Sequence, residues 1–408
     1  MVSPRYISRS LEPILKRATR EFPAVVLTGP RQSGKTTLLK HLFGKTHNYV
    51  SLELPDIQAV AIEDPRGFLD SYPPPVIFDE IQYAPKLLSY IKENIDIVRD
   101  KNGQFLLIGS QNLLLMQKVT ESLAGRAALL KLLPLSWSEE TERPQAPLPW
   151  EQRQNTKGLS HIQCPDLWKT FLRGGYPELV ARPKRDIHLW YSSYTQTYLE
   201  RDVRTLRQVG DLTLFQSFLR ILAARSAQLL SLSDIARDLG ISVNTVKAWL
   251  SILEATYQVI VLRPYFANVG KRLVKRPKIF FTDVGMLCYL AGLRDPKHAA
   301  YGPMGGAIME TSVLSEIVKR LVHQGIEPRV YFWRTAAGSE VDIVIDTGEK
   351  IIPVEVKSSS TPKPAMASGI LAFRKDLGKK TAPGYVIHSG NIRMPLGSGV
   401  TALPFTEI

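Results

Sequence analysis

Residues 24–43 read AVVLTGPRQSGKTTLLKHLF, an apolar run leading into Gly29, then four residues, then Gly34, Lys35 and Thr36, then a helix-forming stretch. Glycines let a loop wrap closely around phosphate oxygens, whose charge is met by backbone N–H groups and by the N-terminus of the next helix. Gly29, Pro30, Arg31, Gln32, Ser33, Gly34, Lys35, Thr36 and Thr37 therefore form a candidate nucleotide loop. In such a loop Lys35 reaches the β- and γ-phosphates and Thr36 ligates Mg²⁺. Hydrolysis needs more, namely a second metal-side carboxylate and a group that activates water. The segment PPVIFDEIQYAP (74–85) offers both, with Asp79 at the C-terminal end of a buried strand and Glu80 next as the candidate general base. The plainer alternative is an acidic strand end. A further strand, QFLLIGSQN (104–112), ends in Gln111 and Asn112, either of which is placed to contact the γ-phosphate.

A second group of chemically capable residues lies near the C-terminus, in EVDIVIDTGEKIIPVEVKSSS (340–360). Carboxylates are almost never fully buried unless paired or metal-bound, yet Asp342 and Glu355 stand among Val and Ile. Alternation puts Glu355 and Lys357 on one face of a strand, and the hairpin partner brings Asp342 beside them. Upstream, GAIMETSVLSEIVKRLVHQG (306–325) reads as an amphipathic helix with Glu310 near its apolar face. Carboxylates so placed share Mg²⁺ while Lys357 orients or activates water. The competing reading is a set of hairpin salt bridges in a docking or DNA-holding module.

The elements that must carry these residues follow from length and composition. A chain of 408 residues exceeds one ordinary core, and its 52 basic against 38 acidic side chains give a formal charge of +14. That balance favours a polyanionic partner. The two cysteines, Cys164 and Cys288, have no metal-like spacing and imply no disulfide framework. No apolar run approaches the roughly 20 residues of a membrane helix, so a cytoplasmic protein without a membrane partner is expected. The stretch 139–161, EETERPQAPLPWEQRQNTKGLSH, reads as a solvated connector.

In the middle, LLSLSDIARDLGISVNTVKAWLSILEATYQVIVLRPY (229–265) has the order of a winged helix-turn-helix. Ser233 caps a short helix, Gly240 makes the turn, and Ser242 caps a second helix ending near Leu253. Ile235, Leu239, Ile241, Val246, Leu250 and Leu253 form its core, leaving Lys247 outward. With Lys271, Arg272, Lys275 and Arg276 this segment is a candidate DNA surface contacting mainly phosphates. Its alternative role is protein docking.

The motifs GPRQSGKTT, VIFDE, IGSQN, SLAGR, LPLSWSE, FLRGGYPE and YLERDV, in that order, resemble the prokaryotic AAA-superfamily ATPases that carry a fused C-terminal domain of uncharacterised function. FFTDVGML and EVDIVI…VEVK extend the likeness to nearly the whole chain, and the last region resembles the PD-(D/E)xK nuclease fold. The resemblance implies an α/β chain in four parts. These are a P-loop AAA-type ATPase core (1–150), a helical lid (151–225), a winged-helix-like segment (226–275) and a C-terminal α/β restriction-endonuclease-like domain (276–408). It implies ATP and Mg²⁺ as cofactors, with Asp342, Glu355 and Lys357 as nuclease-site residues and Glu310, Asp342 and Glu355 as metal ligands. It also makes Arg126 either an arginine finger acting on a neighbouring subunit in a ring, such as a hexamer, or a structural arginine. Glu200, Arg201 and Asp202 belong either to the nucleotide contact or to a helix-surface salt-bridge network. The expected function is ATP hydrolysis coupled to binding or remodelling DNA, branched DNA included. The alternatives are an ATP-controlled protein-docking switch and an ATP-gated metal-dependent endonuclease.

Overall fold

The computed structural model describes residues 5–109, 121–151, 166–199, 211–265 and 275–408. Five apolar segments form the first sheet: β1 (Ala24–Thr28), β2 (Asn48–Ser51), β3 (Val76–Asp79), β4 (Phe105–Gly109) and β5 (Ala127–Lys131). All pairings are parallel, in the order β2-β3-β4-β1-β5. β1, β3 and β4 are buried along their whole length, the pattern of parallel strands covered on both faces. Ligand sites of such sheets open at the C-terminal strand ends, which is where β1 and β3 deliver the glycine loop and Asp79.

The expected strand at 104–112 is present as β4, while Gln111 and Asn112 lie outside the described residues. Three short helices, Leu167–Arg173, Pro177–Ala181 and Ile187–Tyr194, follow in the region expected to form a lid. The connector reading fails at its first residues. Helix α1 (Trp137–Glu140) has a reciprocal Ser136/Glu139 capping box, and Glu139 is 0% exposed. Glu139 is buried because Arg9 Nε lies 3.1 Å and His323 Nδ1 3.2 Å from its carboxylate, which also accepts the Ser10 amide at 2.7 Å.

The helix-turn-helix forms as α2 (Leu232–Leu239) and α3 (Val243–Ala255), with Gly240 left-handed at φ 67° between them and Ser242 accepting the Thr245 amide. Ser231, rather than Ser233, is the first helix's N-cap, and the second helix runs past Leu253 to Ala255. Ile235, Val246, Leu250 and Leu253 are buried, as the spacing requires, with Leu239 and Ile241 packed at the margin.

The remaining strands are β6 (Val259–Pro264), β7 (Lys278–Phe281), β8 (Val330–Arg334), β9 (Glu340–Asp346), β10 (Ile351–Lys357), β11 (Gly384–His388), β12 (Met394–Gly397) and β13 (Val400–Pro404). They make one eight-stranded mixed sheet, β12-β13-β11-β10-β9-β8-β6-β7. The strands β6 and β7 thus continue into the C-terminal sheet through the parallel pairing of Arg263 and Pro264 with Tyr331 and Phe332. A division at 275/276 therefore separates two neighbouring strands of one sheet. The long helix α4 (Gly305–His323) packs on β7 and β10, and a single apolar cluster runs from Leu133 to Ile408. Among the described residues, no helix is long and apolar enough to cross a membrane.

Breaking a buried ion pair by removing one partner costs about 3–5 kcal/mol, because the other charge is left uncompensated. Glu139→Ala, which strands both Arg9 and His323, is expected to lower stability on that scale in a thermal or urea melt, whereas Glu142→Ala at the exposed Arg5 pair is expected to be silent.

Candidate functional site

β1 ends at Thr28, and Gly29 follows at φ 147°, so close to the next strand's exit that a Cβ would meet the Leu132 carbonyl oxygen at 2.1 Å. Only glycine fits there. The loop closes at Gly34 (φ 93°), which leads into helix Lys35–Phe43. Lys35 is 6% exposed, and its ammonium donates to the carbonyls of Gly29 (3.0 Å) and Pro30 (2.9 Å), folded over the loop it belongs to. Ser33 contributes its carbonyl, which accepts from Arg9 at 2.9 Å. Arg31, Gln32, Gly34, Lys35, Thr36 and Thr37 line a cavity of about 550 Å³, a size suited to a nucleotide. Glu80 is on the same wall.

The Thr36 hydroxyl donates to Asp79 Oδ2 at 2.8 Å, which brings two hard oxygen donors together beside the lysine. That donor set fits Mg²⁺, which keeps several waters and takes one or two protein ligands alongside phosphate oxygens. Glu80 adopts left-handed backbone angles (φ 56°, ψ 48°), a strained conformation for a non-glycine residue, and its carboxylate accepts from the Gln82 amide.

Further residues at the cavity escaped the sequence reading. Arg9 and Tyr6 come from the N-terminal segment, and Arg182 from the end of helix Pro177–Ala181. Arg182 is held by Glu178 at 3.1 Å, which also binds Arg185 at 2.6 Å. The four-residue spacing of Glu178 and Arg182 was the available signal. Tyr49, on β2, donates to Asp79 Oδ2 at 2.8 Å. Arg126 lies elsewhere. It precedes β5, whose first residue Ala127 is level with Ala24, so it sits at the opposite end of the sheet from the glycine loop. Its guanidinium makes paired bonds of 2.7 and 3.0 Å to Asp96.

The C-terminal hairpin forms in the expected register, with Ile352 level with Ile345 and Val354 with Ile343. Asp342 accepts the Val356 amide at 2.8 Å, and Lys357 Nζ lies 2.7 Å from Glu355 and 3.8 Å from Asp342. Asp342, Glu355 and Lys357 line a cavity of about 380 Å³. Gly369 permits the following helix to close on it, since a Cβ would meet Glu355 Oε1 at 2.1 Å.

Glu310 lies near enough for the Asp342 charge to act on it, but its ion pair is made elsewhere. Its carboxylate is taken by Lys278 Nζ at 2.9 Å, a β7 ammonium with a side chain 4% exposed that also holds Glu340 at 2.7 Å. Among the described residues no three His, Cys, Asp or Glu side chains converge as a metal-holding group. Lys278 of β7 thus supplies the positive charge beside Glu310 and Glu340, while Asp342 and Glu355 face Lys357. Burial, then the Asp342 charge, pushes the Glu310 carboxyl up to about 8, and burial and Asp342 push Glu355 up to about 8. Lys278 stays charged, because its three acidic neighbours outweigh the burial that opposes it.

Of the candidate DNA-contacting residues, Lys247, Lys275 and Arg276 are exposed, whereas Lys271 and Arg272 lie outside the described residues. Glu200, Arg201 and Asp202 lie outside them as well.

The chain matches the family model described as an AAA domain over residues 21–141, and two domains of unknown function over 164–297 (DUF8612) and 305–408 (DUF4143). It is 30% identical over 396 residues to uncharacterized proteins of Mycobacterium tuberculosis and Mycobacterium bovis, covering 97% of this chain and 82% of theirs. Among solved structures, a Walker-type ATPase of Pyrococcus abyssi aligns at 15% identity with TM-score 0.45, over 71% of this chain and 99% of that one. The Thermotoga maritima RuvB Holliday junction branch migration motor aligns at 18% identity with TM-score 0.30, over 62% and 88%.

The raised carboxyls give a pH prediction. Between the ordinary carboxylate value and about 8 the folded chain holds protons that the unfolded chain has released, so stability falls as pH rises through that window. Glu355→Gln is expected to flatten this slope in melts from pH 5 to about 9; an unaltered slope would show that Glu355 is ionised throughout.

Proposed function

We propose, for a chain that belongs to the family of these uncharacterized mycobacterial proteins, that an AAA-type P-loop ATPase couples Mg-ATP hydrolysis to binding or remodelling DNA. The observation that carries the ATPase is the meeting of Lys35, Thr36 and Glu80 at one cavity on the C-terminal edge of a parallel sheet, with Asp79 bonded to Thr36 behind them. The backbone of residues 29–34 cradles phosphate oxygens, Lys35 leaves its loop carbonyls for the β- and γ-phosphates, and Glu80 accepts the proton of the attacking water. Mg²⁺, held by Thr36 and Asp79, would neutralise developing phosphoryl charge.

Arg126 cannot serve its own nucleotide, since the sheet separates them by about 15 Å of strand. As a finger it acts on a second copy, from a surface where Ile97 and Val98, next to Asp96, are 75% and 40% exposed. That arrangement supports a ring of copies. The DNA reading rests on Lys247, Lys275 and Arg276, exposed on and beside one helix-turn-helix, with a net charge of +14 behind them. The Lys278 ammonium between Glu310 and Glu340 favours a holding role for the C-terminal module over cleavage.

Lys35→Ala is expected to abolish nucleotide binding, whereas Glu80→Gln keeps binding and loses about 10²–10⁴-fold in turnover. Parental turnover by the Glu80 variant would remove it as the base. Mixed with Glu80→Gln subunits, Arg126→Ala subunits should regain activity at shared interfaces; inactivity at every ratio, with co-assembly verified, contradicts action in trans. ATPase rates with linear, single-stranded and four-way-junction DNA test the coupling, and no stimulation by any of them favours a protein-docking switch. Each phosphate contact contributes a slope of about −0.9 to the logarithmic salt dependence, so replacing Lys247, Lys275 and Arg276 by Ala should flatten that slope. An unchanged slope places the DNA surface elsewhere.

A further inference from the structure

Asp79 carries two hydroxyl donors on one oxygen. Thr36 Oγ1 and the Tyr49 hydroxyl each donate to Oδ2 at 2.8 Å, while the carboxylate is 6% exposed and so has little water to orient it. Tyr49 comes from β2, where it is level with Ile77, and Ser51 two residues on is level with Asp79 itself. The tyrosine therefore reaches along the sheet edge toward the end of β3. Its ring is held from the other side by Lys40, whose ammonium lies 3.4 Å from the ring centroid, on the same helix as Thr36. Ring, helix and carboxylate thus hold one another beside Thr36, which lines the cavity.

The two donors are not equivalent once a cation arrives. A threonine hydroxyl that held Mg²⁺ through its lone pair would keep its proton for Asp79 but would be placed by the cation, whereas Tyr49 would hold the carboxylate independently of it. We propose that Tyr49 is a positioning residue that aims the Asp79 carboxylate at the nucleotide-bound metal ion. The proposal rests on the ATPase reading of this cavity. Tyr49 touches neither phosphate nor cation, and it acts through Asp79, as outer hydrogen-bond partners do at other metal sites.

The test is Tyr49→Phe in the full chain, which keeps the ring and its Lys40 contact and removes one hydroxyl. Calorimetric titration with ATP is done with Mg²⁺ and again with EDTA, for the parent, Tyr49→Phe and Asp79→Asn. The expected result is unchanged affinity in EDTA for Tyr49→Phe, with the Mg²⁺-dependent gain in affinity reduced about threefold to tenfold, the scale of one lost hydrogen bond to a charged group. The Mg²⁺ concentration for half-maximal turnover should rise by the same factor. Equal Mg²⁺ gains in Tyr49→Phe and the parent would overturn the proposal, as would an equal loss of affinity with and without Mg²⁺. Asp79→Asn separates the two levels of inference, since a Mg²⁺ gain that survives it refutes Asp79 as the metal-side carboxylate, whatever Tyr49 does.

Discussion

The carboxylate of Glu139 is the point on which the rest of the molecule depends. It is 0% exposed, and burial alone would push its proton affinity up, but the charge of Arg9, with His323 Nδ1 3.2 Å away, holds it well below the usual carboxylate range. Arg9 passes the interaction on to the nucleotide loop, donating to the carbonyls of Ser33 and Leu133 at 2.9 and 2.7 Å. His323, the last residue of α4, accepts the Leu133 amide at 3.1 Å. One buried charge therefore joins the N-terminal segment, the nucleotide loop, the chain leaving β5 and the C-terminal domain's long helix. Removing one member of such a buried group leaves a charge uncompensated.

Other contacts follow the same route. The Thr28 hydroxyl, at the mouth of the glycine loop, is 3.0 Å from the Tyr257 hydroxyl just after the helix-turn-helix, and Tyr194 donates to the Arg31 carbonyl at 3.4 Å. Asp283, in FFTDVGML, accepts from the Gly175 amide at 2.8 Å and the Tyr191 hydroxyl at 2.6 Å, seating the FLRGGYPE segment on the module that follows the wing. Trp137 and Leu135 are tied to α4 through Glu316 and Lys319. The apolar cluster that begins at Leu133 and ends at Ile408 fills the space between these bonds. The helices of 167–194, the helix-turn-helix and the C-terminal sheet thus share one core, and the glycine loop rests against it.

Much of this was legible in the sequence where a function depends on short spacing. The glycine loop, Asp79 and Glu80 at a strand end, the Gly240 turn and the Asp342–Glu355–Lys357 hairpin are each fixed by a local period of strand or helix. What escaped was set by partners far apart in the chain. Glu139 looked like the start of a solvated run, because nothing nearby announces that Arg9 will neutralise it and His323 will cover it. Lys278 belongs to no motif, and only the joining of β7 to the C-terminal sheet makes it the counter-ion of Glu310 and Glu340. Arg126 was recognised by position, but its Asp96 partner, thirty residues earlier, was not.

The central claim is that the nucleotide site and the C-terminal sheet are one cooperative unit joined through Glu139. A ligand that binds only the folded state stabilises everything that unfolds together with its site. The most direct measurement is hydrogen exchange of the full-length Glu80→Gln protein with and without Mg-ATP, following the slowest amides of β1 and β4 and those of β9 and β10. The account predicts that nucleotide slows exchange in both sheets by the same factor. Slowing confined to β1 and β4, with β9 and β10 unchanged, would contradict it.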